Sequence, residues 1–309
     1  MNKLVVLGSV NADHVLQVPH FPRPGETLHG RSYRVIPGGK GANQAVAAAR
    51  LGADVTFIAC VGDDSFGINI RRAFAEDGIN IDAVMVEPST PTGIAMIQVA
   101  DSGENSICIS AEANACLTMS RLQPHHNLIA NADMLLMQLE TPLETITHAA
   151  EIAHASGTKV ILNPAPAQAL PDTLLKLVNI ITPNETEAEQ LTGVVVNGIS
   201  SAKHAADLLH KKGIELVLIT LGSEGVWVSE NFSGQKIKGF QVKAIDTTAA
   251  GDTFNGALVT ALLEEKSLDD AIVFAHAAAA ITVTGIGAQT SIPYRIKVDE
   301  FLNSFNAGM

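Results

Sequence analysis

Short, nearly continuous apolar runs alternate with longer amphipathic stretches along most of this chain, and that alternation restricts the fold more than any other feature. The runs at 4–7, 55–59, 134–139, 160–162, 179–182 and 216–221 are apolar at successive positions rather than at every second one. Such runs suit strands buried on both faces, as in a parallel sheet. Between them, residues 42–51, 65–77, 143–156, 185–191, 201–212, 252–264 and 268–284 read as helices. Gly52, Gly78, Gly157, Gly193 and Gly213 stand just past five of these, where a helix end needs a left-handed residue. The expected fold is therefore α/β: a doubly wound, mostly parallel sheet with helices on both faces. Pro124 interrupts residues 120–129, so any helix there begins late or is broken.

Two segments break the rhythm. Residues 14–37 hold four prolines, and 92–110 read as two strands, 92–99 and 106–110, joined by Asp101-Ser102-Gly103-Glu104. These are expected to form a small separate β-sheet, a lid inserted twice into a body made of 1–13, 38–91 and 111–309. A lid over the C-terminal ends of the main strands would cover the place where open α/β sheets bind ligands. An inert edge hairpin satisfies the same composition.

Composition narrows the function. Among 309 residues, 47% are apolar, which is ample for a core. Acidic residues exceed basic ones by 32 − 20 = 12. That surface would repel a phosphate backbone, so nucleic acid is not an expected partner. No run of ~18 apolar residues occurs, so no membrane partner is expected either. The apolar run after Lys3 is too short for a signal-peptide core, and cytoplasmic localisation is expected. Cys60, Cys108 and Cys116 form no Cys-x-x-Cys pair; Cys60 and Cys108 lie in apolar runs and are expected to be small buried hydrophobes.

The motifs carry the chemistry. No Walker A sequence is present, and Gly285-x-Gly287 follows a helix and has Thr290 where a dinucleotide fingerprint needs its third glycine. The segment Ala249-Ala250-Gly251-Asp252-Thr253-Phe254 leads into an apolar helix. A glycine at a helix start bares backbone N–H groups to an anion, and Asp252 beside it could accept a proton from a hydroxyl attacking phosphorus. A plain Asp N-cap is the competing explanation.

Four further segments accompany it: Asn11-Ala12-Asp13-His14, expected to end the first strand; Gly38-Gly39-Lys40-Gly41-Ala42-Asn43-Gln44; Asn163-Pro164-Ala165-Pro166; and Thr182-Pro183-Asn184-Glu185-Thr186-Glu187. With Asp246-Thr247-Thr248 before Ala249, their order and spacing resemble the ribokinase family of carbohydrate kinases, essentially end to end. The resemblance implies that Asn11, Asp13, Gly39, Lys40, Asn43, Glu140 and Asp252 bind the sugar. Asn11 and Asp13 also suit a turn after a strand, Asn43 suits a helix start, and Glu140 could be a cap before Pro142. Gly38-Gly39 would be the lid hinge, with Ala95, Ile97 and Ile107 as an apolar wall above the sugar. The nucleotide would meet Asn184, Thr220, Gly222, Ser223, Gly225, Gly251 and His276. Asn184-x-x-Glu187 would belong to the magnesium–phosphate region, though acidic first-turn residues at a helix start explain it too. Asp246, Thr248, Thr282, Gly285, Gly287 and Ser291 would form a monovalent-cation loop for potassium. Gly285-Ile286 stands where close relatives often carry basic residues, and Glu112 where they usually carry glycine.

The implied activity is ATP-dependent phosphorylation of a pentose hydroxyl, D-ribose at O5, with Asp252 as base and the Ala249–Gly251 amides plus magnesium holding the phosphoryl charge. A homodimer through the lid strands is the implied assembly. Rivals are a kinase for 2-deoxyribose, fructose or a nucleoside, and a sugar-binding sensor without catalysis. A doubly wound dehydrogenase would lack its glycine fingerprint.

Overall fold

Along β1 (Lys3–Leu7), Leu4 and Val6 enter one apolar cluster and Val5 and Leu7 another. In β4 (Asp54–Gly62), Val55, Phe57, Ala59 and Val61 join the first cluster, and Ile58 and Cys60 the second. A strand with both sides apolar is stable only when both faces of its sheet are covered. The computed structural model, which describes residues 3–307, has that arrangement. Residues 1, 2, 308 and 309, the outer ends of the expected body segments, lie outside the described residues.

The remaining strands, in chain order around these two, are β2 (Asn11–Val18), β3 (Ser32–Gly38), β5 (Val84–Glu87), β6 (Gly93–Ala100), β7 (Asn105–Ser110), β8 (Met134–Met137), β9 (Lys159–Leu162), β10 (Ile180–Ile181), β11 (Leu216–Thr220), β12 (Val226–Glu230) and β13 (Ser233–Ile237). The large sheet has the order β13-β12-β11-β10-β9-β8-β1-β4-β5, parallel except for β12 and β13. From β1 the chain first builds outward through β4 and β5, then returns to β8 on β1's other side. The β1/β8 boundary is thus the switch point, where a crevice opens beyond the strand ends.

The helices are α1 (Lys40–Arg50), α2 (Ser65–Glu76), α3 (Met119–Leu122), α4 (His126–Ala130), α5 (Leu143–Ser156), α6 (Asp172–Leu175), α7 (Glu185–Thr192), α8 (Ile199–Lys211), α9 (Ala250–Leu263), α10 (Leu268–Thr282) and α11 (Arg295–Ala307). The buried faces of α1, α2, α9, α10 and α11 belong to one core, and those of α5, α7 and α8 to the other. Helix α1 approaches α9 closely, because a Cβ on Gly256 would fall 2.6 Å from Ala47 Cβ and 2.7 Å from the Gln44 carbonyl. Among the described residues, no helix is long and apolar enough to cross a membrane.

Gly52, Gly78, Gly157, Gly193 and Gly213 all have positive φ, as expected for helix ends. Pro124 does break its segment, falling in a 3-10 turn between α3 and α4. The second, four-stranded sheet has the order β3-β2-β6-β7. Three expectations need correction. Asn11, Ala12 and Asp13 do not end the first strand; they open β2, so the small sheet begins before residue 14. Cys108 is exposed, because every residue of β7 is, and only Cys60 is fully buried. The strands β5, β12 and β13 and the helices α6 and α11 join the expected set.

Glu112 follows β7 with φ +47, a left-handed conformation that disfavours a side chain by about 1–2 kcal/mol. A glycine at this position would not carry that cost.

Candidate active site

The expected sugar and catalytic residues meet beyond the C-terminal ends of β1 and β8. Gly39 precedes α1 with φ +89, and a Cβ there would lie 2.8 Å from Asn11 N and 3.0 Å from Ser9 O. Only glycine lets the chain turn from β3 into α1 while touching the backbone after β1. That turn points the start of α1 at Glu140, whose Oε2 accepts from Lys40 N at 3.0 Å and Ser9 Oγ at 2.6 Å. Glu140 therefore satisfies the start of α1 and is not the N-cap of α5, which is Pro142.

Asp13 is buried and accepts no hydrogen bond from the described residues, and it lies against Gly38, where a Cβ would collide with its carboxylate. Burial, then the nearby Glu140 and Asp252 carboxylates, push its pKa up to about 7 despite Lys40. Burial works against the Lys40 ammonium, but Asp252, Glu140, Glu187 and Asp13 outweigh it and hold its pKa above the ordinary value. Asn11 is fixed by Asn114, whose Nδ2 donates to Asn11 Oδ1 at 2.8 Å. A buried carboxylate without donors beside an ammonium and an amide suits a ligand bearing several hydroxyls. Ala95 stands opposite Asp13 in the β2–β6 register, with Ile97 two residues on. Ile107 pairs with Ile97 on β7 and is exposed.

Asp252 is the third residue of α9, buried, with Oδ2 accepting from Asn43 Nδ2 and Oδ1 from Gln44 Nε2, both at 2.9 Å. The N-cap is Ala249, left-handed at φ +60 and without a side-chain cap, so Asp252 is not a capping residue. A left-handed alanine at this turn is local strain of the sort concentrated at functional sites. The N–H groups of Gly251 and Asp252 have no hydrogen-bond partner among the described residues, and a Cβ on Gly251 would meet nothing within 4 Å. The Ala250 N–H instead reaches Thr247 O at 3.3 Å. Of the expected Ala249–Gly251 set, Ala250 is thus engaged by its own turn, while the Ala249 and Gly251 N–H groups are free among the described residues and that of Asp252 joins them.

Two clefts meet at this turn. One is lined by Lys40, Asn184, Glu187, Ala249, Gly251 and Asp252. The other, mostly apolar, includes Thr220, Gly222, Ser223, Gly225, Phe240 and His276. Thr220, Thr247, Ala250 and Gly251 line both. Burial pulls the His276 pKa down to about 4, and its Nε2 has no partner. Asn184 and Glu187 form a capping box on α7, each side chain bonded to the other's N–H at 2.9 Å. The helix-start explanation is thus met in full, yet Glu187 Oε1 and Asn184 Nδ2 have no hydrogen-bond partner among the described residues. Burial raises the Glu187 pKa, against the Asn184 N–H and Lys40.

The expected cation loop is two turns side by side. Asp246 accepts from Thr248 N at 3.0 Å, Thr248 Oγ1 at 2.6 Å and Gly287 N at 2.9 Å. Burial opposes its charge, but these donors and Arg34 hold its carboxyl below the usual range. Ser291 Oγ donates to Gly287 O at 2.6 Å, and Gly285 N to Thr282 O at 3.0 Å. The Thr282 hydroxyl turns away, toward Thr253 and Ala278 O, so only its carbonyl could face an ion. Among the described residues, no group of three or more His, Cys, Asp or Glu could hold a metal.

Residues 1–295 match the pfkB family of carbohydrate kinases. The chain belongs to that family. Within the pfkB family it is 59% identical over 299 residues to the ribokinase of Haemophilus influenzae, covering 97% of this chain and 98% of that one. With the ribokinase of Staphylococcus aureus it shares 44% over 301 residues, 97% of this chain and 99% of the other. The structure of Arabidopsis thaliana ribokinase complexed with ribose and ATP superposes with a TM-score of 0.92 at 33% identity, over 98% of this chain and 99% of that one.

Gln44, Gln138, Asn163, Thr182, Asn255 and Asn114 are site residues without an expected role. Gln44, Asn163 and Thr182 lie in the quoted motifs, but their contacts come from elements far apart in sequence.

Proposed function

We propose that this chain transfers the γ-phosphoryl group of ATP to O5 of D-ribose, giving D-ribose 5-phosphate. The observation that carries the reading is Asp252, a buried carboxylate at the junction of a polyol-type site, a nucleotide-shaped cleft and two unpartnered N–H groups. O5 attacks phosphorus, the bond from phosphorus to the ADP oxygen breaks, and the hydroxyl proton passes to Asp252. The Gly251 and Asp252 N–H groups, at the positive end of α9, receive the charge of the transferring group. Asn11, Asp13, Lys40, Asn43 and Glu140 orient the sugar, and His276 lies in the cleft that takes the base. The lid, hinged at Gly38-Gly39, excludes water.

The donor set fits magnesium bound through phosphates, because Glu187 lines the cleft with one oxygen free of protein donors among the described residues, and Mg²⁺ commonly takes one or two carboxylates besides phosphate oxygens. When bound, it supplies charge neutralisation at the phosphate oxygens. Potassium suits the Asp246 loop, where Thr248 and Gly287 hold the carboxylate ionised and the Asp246 N–H bonds to the carbonyl of Val283, on the turn that also carries Thr282 and Gly285. An ion there would fix the backbone that leads into Ala249. Potassium chloride is therefore expected to raise kcat in buffer free of sodium and potassium, while tetramethylammonium chloride does not. An equal rise with both salts would leave only ionic strength.

The sugar assignment is tested by ADP release with purified protein across pentoses, hexoses and nucleosides. Ribose should exceed 2-deoxyribose in kcat/KM by about tenfold or more, because the missing hydroxyl leaves buried polar groups unpaired at ~1–3 kcal/mol. Equal efficiency for the two sugars removes ribose and leaves the kinase. The exposed apolar residues Val35, Met96, Ile107 and Ile109 on the small sheet support a homodimer through the lid.

A further inference from the structure

Each oxygen of Asp252 is held by an amide, and each of those amides has a glutamine behind it. On one side Asn43 donates to Oδ2, and its own Oδ1 accepts from Gln289 Nε2 at 3.2 Å. On the other side Gln44 Nε2 donates to Asp252 Oδ1 at 2.9 Å and to Asn163 Oδ1 at 3.0 Å, and Gln44 Oε1 accepts from Gln138 Nε2 at 2.6 Å. Both N–H groups of Gln44 and its carbonyl therefore have partners inside the protein, and its side chain is fully buried. Its polarity is fixed from three directions. A flipped amide would set its oxygen against two acceptors, Asp252 and Asn163, and its N–H groups against the Gln138 donor. The chain continues from Asn163 Nδ2 to Thr182 O, from Thr182 Oγ1 to Asn255 Oδ1, and from Asn255 Nδ2 to Gly251 O. It ends on the peptide that carries the Asp252 N–H. One buried network thus holds both the carboxylate and the adjoining anion-binding peptide.

We propose that Gln44 is a positioning residue for phosphoryl transfer: it sets the plane of the Asp252 carboxylate, and with it the direction of the lone pair offered to the sugar hydroxyl. The inference rests on Asp252 being the base. Gln44 touches no substrate, because its hydrogen-bonding groups are engaged and it is sealed from the cleft. Its effect belongs in kcat rather than in sugar binding. A misplacement on the order of 1 Å can cost ~10²-fold in rate.

The test is a double-mutant cycle with Gln44→Met and Asp252→Asn, measuring kcat by ADP release and ribose Kd by calorimetry without nucleotide. Gln44→Met should lower kcat by about 10- to 100-fold in the wild-type background, change ribose Kd less than about twofold, and lower kcat no further when Asp252 is already Asn. A loss equal in both backgrounds means general loosening of the core and overturns the proposal. So does an unchanged kcat in the wild-type background. Asp252→Asn alone, retaining wild-type kcat, would instead remove the base assignment itself. Should Gln44→Met not fold, Gln138→Met removes the donor that fixes Gln44. A smaller fall with the same non-additivity supports the proposal, and additivity again overturns it.

Discussion

Replacing Asp252 with Asn is expected to lower kcat by about 10²–10⁴-fold, the usual contribution of a positioned general base. The side chain keeps its volume, and the N-cap of α9 is Ala249, so no cap is lost. What changes is the donor balance. The carboxylate accepts from Asn43 and from Gln44, whereas the new amide must turn its own N–H groups toward one of them. Leaving one buried donor unpaired should reduce stability by about 1–3 kcal/mol, which a well-buried core of this size can tolerate. Circular dichroism and a melting curve establish the folded fraction, and calorimetry without turnover should give ribose binding close to wild type. A parallel purification excludes host enzyme. A folded variant with near wild-type kcat would make Asp252 a structural residue and sink the mechanism.

The architecture was legible because strands buried on both faces have to be apolar at successive positions. β1, β4, β8, β9, β10 and β11 obey that rule, and the glycines after the helices mark where each one stops. The strands outside the expected set had weaker signals. β12 and β13 alternate only partly, and their turn is Asn231-Phe232, both with positive φ and without the glycine that marks most tight hairpins. β5 is a four-residue edge strand. For α11 the signal was present: Val298, Phe301, Leu302 and Phe305 stand at i, i+3, i+4 and i+7.

The site divides along the same line. Residues on one short motif, such as Ala249–Asp252 or Gly39–Asn43, can be read because a helix start and its neighbours are local. The role of Gln44 cannot be read this way. Its partners Gln138 and Asn163 stand just past the ends of β8 and β9 and Asp252 in α9, up to 208 residues away, and only the stacking of parallel strand ends brings them together. The engagement of the Ala250 N–H within its own turn has a similar origin. Which N–H groups stay free depends on the Thr247 carbonyl and the left-handed Ala249, and residue types alone do not specify that turn.

Asp13→Asn is expected to make the protein more stable and a poorer enzyme. The folded state holds the Asp13 pKa near 7, against 3.8 as the ordinary value, with burial as the main cause and the Glu140 and Asp252 carboxylates next. For a group whose folded pKa is raised, the stabilising contribution is complete below the unfolded pKa and is lost as pH rises through the folded one. Between pH ~4 and ~7 the wild type therefore loses stability through this residue, by an upper bound of about 4 kcal/mol at ~1.4 kcal/mol per unit. An amide has no charge to bury, so the variant should melt several degrees higher at pH 8, and its stability should fall less steeply between pH 5 and 8. The catalytic effect runs the other way. A hydrogen bond from a sugar hydroxyl to a charged acceptor is worth about 1.5–3 kcal/mol, so kcat/KM for ribose should drop roughly 10- to 100-fold. The wild-type ribose KM should also rise as pH falls below about 7, where Asp13 takes up its proton, and that dependence should vanish in the variant. Melting curves and ribose KM across pH 5–8, for both proteins, check these expectations together. A variant that melts lower than wild type at pH 8, with the pH dependence of KM intact, would show that Asp13 is neither the strained charge nor the sugar's acceptor.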